Sequence, residues 1–252
     1  MSALLRVESV SKHFGQFTAV DQVSLELEAG VLTSIIGPNG AGKTTLINVL
    51  TGDLPCDGGR VFLNGEEITR LPTDQRVRKG ISRSFQITNI FPQMSVEQNV
   101  LLPLLARQGR TGQPFMRYDS YADTQAEAEG LLRGLGLWEM RDSPAGELAH
   151  GDQRRLEIGM AIAPNPRLCF LDEPTSGMNP LERTEVLEAI KGLTAEREVT
   201  FVVIEHDMDV VFSISERIVV MHRGEILADG TPDEIRENPE VREVYLGEAV
   251  VE

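Results

Sequence analysis

The rhythm of apolar and polar positions changes several times along this chain, and each rhythm predicts an element. Residues 4–10 and 22–28 read as short strands; in the second, Val23, Leu25 and Leu27 alternate with polar neighbours, as on a half-buried strand. VLTSII at 31–36 is a more uniformly apolar strand. It runs into a glycine-rich turn and then a helix from about Lys43 to Leu50. GRVFLNGEEI at 59–68 predicts another strand with a turn at Asn64–Gly65. The middle, about 85–163, reads as mostly helical, with helices at 95–108, 122–137 and 152–163. In the last of these, Leu156, Met160 and Ala163 share one face, and Pro164 and Pro166 end it. GRTGQPFMRYDS at 109–120 reads as a loop insertion.

RLCFL at 167–171 is short and wholly apolar apart from its arginine, which suits a strand buried on both faces. A helix follows, with Val186, Ile190 and Leu193 at helical spacing, and then a second buried strand, VTFVVI at 199–204. A short helix, a hairpin at 217–230 and short helices starting near Pro232 and Pro239 complete the chain. Strands alternating with helices imply an α/β fold with a parallel sheet and crossovers. The helical middle reads as a subdomain inserted into it.

The 252 residues are 41% hydrophobic and 25% charged, enough to bury a sizeable core. A formal net charge of −15 argues against a general nucleic-acid binder, whose affinity comes largely from Lys and Arg on phosphates. Cys56 and Cys169 sit at no metal-ligand spacing, and a reducing cytosol fits them. The start, MSALLRVESVSKHFG, lacks the apolar stretch of a signal peptide. No apolar run approaches the roughly 20 residues of a spanning helix, so any membrane role is expected to come through a partner.

GPNGAGKT at 37–44 matches G-x-x-x-x-G-K-[ST] in full, with an apolar strand before it and a helix after it. Glycines let the backbone curl so that its N–H groups point at phosphate oxygens, and the helix N-terminus adds partial positive charge. Lys43 supplies a point charge for the β- and γ-phosphates, and the Thr44 hydroxyl can ligate Mg²⁺. Asp172 and Glu173 follow the buried strand at 167–171: the first can hold Mg²⁺ through water, the second can act as general base on the attacking water. Open parallel sheets bind ligands beyond the carboxyl ends of their strands. The phosphate loop, the carboxylate pair and His206 each follow such a strand.

With these residues in place, the chain resembles the ATP-binding cassette (ABC) nucleotide-binding subunits over nearly its whole length. The resemblance implies a P-loop ATPase core with an N-terminal antiparallel β subdomain and an inserted helical subdomain. It implies a single domain over 1–252, with 1–85 and 164–252 as core and about 86–163 as the helical signature subdomain. ATP and Mg²⁺ are the implied cofactors. Gly37, Pro38, Asn39, Gly40, Ala41, Gly42, Lys43, Thr44 and Thr45 would bind nucleotide, with Phe14 of SKHFG stacking on adenine. Gln86 of RSFQIT would sense the metal, Asp172 would hold it, and Glu173 and His206 would act in hydrolysis.

The family's signature loop aligns with Leu148–Asp152, where Ala149, His150, Gly151 and Asp152 would close over ATP held by a second subunit. Ala149 stands where the family usually has serine, and His150 and Asp152 replace glycine and glutamine. The lost hydroxyl removes a hydrogen bond to a charged group, worth roughly 1.5–3 kcal/mol. Asp152 also puts a negative charge near a helix start expected to face phosphate, so this signature should work differently from a standard one. Asn179, in SGMNP at 176–180, stands at the family's usual aspartate.

AHGDQRRLEIGMAIA at 149–163, SGMNP at 176–180 and NPEVREVYLGE at 238–248 resemble the branched-chain amino-acid importer ATPases, in particular the longer of the pair such importers use. That implies a paralogous ATPase as partner, with a homodimer as the alternative, two membrane permease subunits and a periplasmic binding protein. No direct contact with nucleic acid is expected. The chain would then lie on the cytoplasmic face of the cell membrane. Ile90, Phe91 and Met94 are expected either to line a groove for a cytoplasmic helix of the permease or to belong to the subdomain core. A lipopolysaccharide-export ATPase is the nearest rival reading. A non-transport ABC ATPase is a more distant one.

Overall fold

The computed structural model describes residues 3–84, 90–109, 122–197 and 199–248. The chain divides into two units, 1–81 with 200–252, and 82–199. The second unit therefore takes in more than the helical stretch at 86–163: it also holds the strand and helix that follow.

In the first unit, β1 (Leu5–Phe14) and β2 (Phe17–Leu27) form one long antiparallel hairpin. It is longer than the apolar alternation suggests, because residues 11–14 and 17–21 do not alternate apolar with polar and take strand geometry from pairing across the turn. β4 (Gly58–Leu63) and β5 (Glu66–Glu67) extend this sheet in the order β2-β1-β4-β5, turning at Asn64–Gly65 as expected. This is the antiparallel β layer that the resemblance implied.

The parallel core of the unit is built on β3 (Thr33–Ile36), which has β8 (Thr200–Ile204) on one side and β9 (Arg217–His222) on the other. Every residue of β3 and β8 is buried, which is why both read as near-continuous apolar runs. β10 (Glu225–Gly230) closes a hairpin on β9. Helix α1 (Lys43–Thr51) follows β3 and stops at Gly52, which takes the left-handed conformation. Helix α7 (Met208–Ile214) is capped by Asp207, and α8 (Pro232–Glu237) by a Thr231–Glu234 capping box with proline in its first turn. Helix α9 (Pro239–Glu248) completes the unit.

One helix of this unit has no apolar period: α2 (Thr73–Arg78). Its Arg76 is 2% exposed and donates to the carbonyls of Val49, Leu50, Thr69 and Leu71. A buried guanidinium thus satisfies the carbonyl end of α1, and burial holds Arg76 below the usual arginine range.

The second unit begins in β6 (Ile81–Arg83), which lies beside β7 (Leu168–Asp172) and bonds to it through Ser84 N–H and the Phe170 carbonyl, 2.9 Å. Helices α3 (Val96–Arg107), α4 (Ala122–Gly134), α5 (His150–Ile162) and α6 (Pro180–Arg197) make up most of the rest. α3 and α4 pack on each other and on α5, and α5 packs on α6. Ser95 and Gln98 form a capping box at the start of α3. The helix expected at 122–137 ends at Gly134, and Trp138–Met140 form a 3-10 turn. Cys169 on β7 is buried, and that burial pushes its thiol up to about 12, so it stays protonated and inert. Most of the insertion at 109–120 lies outside the described residues.

Candidate functional site

In the first unit the phosphate loop leaves the carboxyl end of β3. Gly37 has φ +151, and a Cβ there would lie 2.1 Å from the Met221 carbonyl oxygen on β9. Gly42 has φ +99, and its Cβ would lie 2.3 Å from the Ala19 carbonyl oxygen. Ala19 falls at a register shift between β1 and β2, unpaired in the ladder, and such irregularities turn a peptide group out of the sheet. The two glycines are thus required by close backbone neighbours as well as by the curl of the loop. Gly224 N–H donates to Ala41 O at 2.9 Å, and Asp21 N–H donates to Gly224 O at 2.9 Å, which ties the loop to both sheets of this unit.

The Lys43 ammonium folds back over its own loop onto the carbonyls of Gly37 and Pro38. Asn39, Gly40 and Thr44 are exposed, Thr45 is half-buried, and the first turn of α1 contains no acidic residue. An open helix start with a lysine beside it and no acidic residue in its first turn suits the phosphates of a nucleotide. A Gly42→Ala substitution is expected to weaken nucleotide binding at least about tenfold. It adds strain of roughly 1–3 kcal/mol at a left-handed position and forces Ala19 away from the loop. Titration with a fluorescent nucleotide checks the first effect and a thermal melt the second.

His206 is exposed and follows β8 by two residues. Since Ile35 of β3 stands opposite Ile204 of β8 in parallel register, His206 leaves the same strand edge as Gly37. Phe14 closes β1 opposite Phe17 and is 48% exposed. The Lys12 ammonium lies 5.8 Å from its ring centre and is bonded to Asp57 at 3.0 Å. The His13 backbone N–H, then Lys12, hold the Asp57 carboxyl below the usual carboxylate range.

In the second unit Asp172 ends β7 and is buried. Its Oδ2 accepts from Arg83 Nη2 at 2.8 Å. Glu173 is half-buried and takes a left-handed conformation, φ +46, uncommon for a side chain of this kind. Arg154 of α5 holds this corner: one guanidinium nitrogen donates to the Asp172 and Glu173 carbonyls, the other to Glu157 at 2.6 Å. Neither Arg83 nor Arg154 stood out in the sequence. Arg154 and Glu157 at i, i+3 look like an ordinary surface pair.

Ala149 is the N-cap of α5 and makes no side-chain cap bond. His150 is exposed, with Nε2 3.8 Å from where a Cβ on Gly177 would lie. Gly151 is buried against the Glu182 side chain. The charge of Asp152 is not left bare: its carboxylate pairs with Arg155, which also reaches Glu185 at 3.3 Å and the Leu135 carbonyl at 3.0 Å. Asn179 caps α6, its Oδ1 accepting from the N–H groups of Leu181 and Glu182, while the Glu182 carboxylate accepts from Asn179 N–H at 3.1 Å. Asparagine serves this capping box as well as aspartate would. The N-x-x-E spacing at 179–182 was the readable signal. Gln86 lies outside the described residues.

Among the described residues no cluster of three or more His, Cys, Asp or Glu could hold a metal. The Asp172 carboxylate and the exposed Thr44 hydroxyl are oxygen donors of the hard kind that Mg²⁺ takes. No described helix is long and apolar enough to cross a membrane.

Strand, glycine loop, lysine-led helix and a neighbouring parallel strand followed by a histidine define a nucleotide-binding α/β protein of the P-loop class. A family model described as ABC transporter matches residues 20–176. A second, described as Branched-chain amino acid ATP-binding cassette transporter, matches residues 225–251. The high-affinity branched-chain amino acid transport ATP-binding protein BraF of Pseudomonas aeruginosa is 42% identical over 254 residues, covering 98% of this chain and 98% of that protein. The lipopolysaccharide export system ATP-binding protein LptB of Acidithiobacillus ferridurans is 36% identical over 253 residues, 98% of each. The crystal structure of the ADP conformation of MJ1267, an ATP-binding cassette of an ABC transporter, superposes with a TM-score of 0.87 at 33% identity, covering 98% of this chain and 100% of that one. The chain belongs to the ATP-binding subunits of ABC transporters, and it is an ATPase of that family.

Proposed function

We propose that this ATPase energises a membrane importer of branched-chain amino acids or related small amides and acids. The observation that carries the reading is the higher identity to BraF than to LptB, beside the tail at 225–251, matched by a model described as Branched-chain amino acid ATP-binding cassette transporter. Loop N–H groups and Lys43 bind the phosphates, Phe14 stacks on adenine, and Thr44 and Asp172 hold Mg²⁺, with Gln86 as its sensor. When bound with ATP, Mg²⁺ neutralises phosphate charge and so eases phosphoryl transfer. Glu173 takes the proton of the attacking water and His206 contacts the γ-phosphate. The helical stretch at 86–163 acts as the signature subdomain, and Ala149–Asp152 close over ATP held by a second, paralogous ATPase. Two permease subunits and a periplasmic binding protein complete the system, with this chain on the cytoplasmic face of the membrane.

Reconstitution with branched-chain amino acid permease subunits tests the reading. ATP turnover stimulated by a binding protein loaded with leucine or isoleucine is the expected result. Stimulation by a lipopolysaccharide-extracting assembly would overturn it.

Phe91 is the proposed contact with the permease. Phe91 is 49% exposed, while the fully buried Asn99 side chain bonds both its backbone N–H, at 2.7 Å, and its carbonyl, at 3.1 Å. Such a held backbone presents the ring without a cost in ordering it on docking. Phe91→Ala is expected to cut permease-stimulated turnover about tenfold or more with nucleotide affinity unchanged, since a buried aromatic contact is worth roughly 2 kcal/mol or more. Loss of fold or of nucleotide binding would instead make Phe91 part of the subdomain core.

A further inference from the structure

Asp172 is 4% exposed, and its carboxylate is paired with the guanidinium of Arg83 at 2.8 Å, two side chains only 6% and 10% exposed. A buried carboxylate needs a cation beside it, because removing one partner of a buried pair leaves an uncompensated charge. The two residues end neighbouring strands, β7 and β6, so the backbone itself sets their approach. Arg154 meanwhile grips the Asp172 carbonyl from α5 and leaves the carboxylate to Arg83.

We infer that Arg83 stands in for the divalent cation at Asp172. The inference rests on the reading above that Asp172 serves the metal. Whenever no metal is held, the guanidinium supplies the positive charge that keeps the buried carboxylate compatible with the fold. When a metal enters, Arg83 opposes it by like-charge repulsion across a short, poorly solvated distance. Arg83 thereby makes the protein's own hold on the metal weak, so that the ion arrives and leaves with the nucleotide phosphates rather than staying behind after hydrolysis. Arg83 is a positioning and tuning residue: it acts on Asp172 and is not assigned a contact with nucleotide.

The test uses Mn²⁺ as the probe, followed by electron paramagnetic resonance on the nucleotide-free protein. Arg83→Met is expected to bind Mn²⁺ at least about tenfold more tightly than wild type, as loss of a nearby unit charge predicts. At ten times its dissociation constant, Mn²⁺ should then raise the melting temperature of R83M by about 3–5 °C. The same concentration should leave wild type nearly unmoved. Arg83→Lys, which keeps the charge, is expected to behave as wild type. Should R83M not fold, Arg83→Gln, which can still donate a hydrogen bond to Asp172, carries the same expectation. Recovery of fold by Mn²⁺ in either variant also supports the inference. Unchanged or weaker Mn²⁺ binding in R83M and R83Q overturns it. The underlying reading has its own readout: Mg²⁺ should tighten ADP binding by wild type but not by Asp172→Asn. If Asp172→Asn keeps that tightening, Asp172 does not serve the metal, whatever Arg83 does.

Discussion

Glu173→Gln is expected to lower ATP turnover by about 10²–10⁴-fold while ATP still binds, because an amide cannot take the proton of the attacking water. The loop proposed to hold the phosphates is in the other unit and is built without Glu173, so binding and chemistry should separate cleanly. Single-turnover hydrolysis beside equilibrium nucleotide binding measures both. Equal loss of binding and turnover would show that Glu173 supports the fold or the nucleotide instead. In the proposed pair of ATPases the same change is made in each subunit separately. Unequal losses are expected, because the two composite sites would be closed by different signatures: this chain's Ala149–Asp152 and that of its partner.

Arg154→Met carries the largest expected effect on stability. Glu157 is 7% exposed and its carboxylate is bonded to Arg154 at 2.6 Å. Removing the guanidinium takes this ion-pair partner from a buried carboxylate, and breaking such a pair costs about 3–5 kcal/mol. For a chain of this size that is a fall in melting temperature on the order of 10 °C. The double change Arg154→Met with Glu157→Met should recover much of the loss, since an apolar pair of similar volume avoids the desolvation of both charges. It should not recover all, because the Asp172 and Glu173 carbonyls lose a donor in both variants. Turnover of the double variant should also stay low, as the left-handed turn at Glu173 loses the group that holds it. A double variant as unstable as the single one would rule out the ion pair as the source.

These expectations differ in where they could first be seen. The places of Glu173, Lys43 and His206 after apolar strands were legible, because period and neighbour order are local properties of a chain. The buried strands β3, β7 and β8 were legible for the same reason, and so were the hairpin at β9–β10 and the helix starts near Pro232 and Pro239. Helix α2 was not: TDQRVR has no apolar stripe, and it is anchored by the bonds of Arg76 to carbonyls up to 27 residues away. The outer half of the β1–β2 hairpin was missed because Ser11–Phe14 and Phe17–Asp21 form strands chiefly through each other.

The charges changed most on folding. Asp152 read as a bare negative group beside a phosphate-facing helix start, yet its carboxylate lies on Arg155. Asn179 read as a departure from the family pattern, yet it caps α6 with Glu182. The sequence by itself determined the family, the phosphate loop and the order of the chemical groups after successive strands, since those are contiguous motifs whose meaning depends on near neighbours. Only the tertiary structure decided which arginine meets which carboxylate or carbonyl, and why Gly37 and Gly42 admit no side chain against Met221 and Ala19. Several of them, such as Arg83 with Asp172 and Gly37 against Met221, join residues tens to nearly two hundred positions apart, and they leave no period in the chain. They exist only once burial makes an unmatched charge or a crowded Cβ too costly to keep.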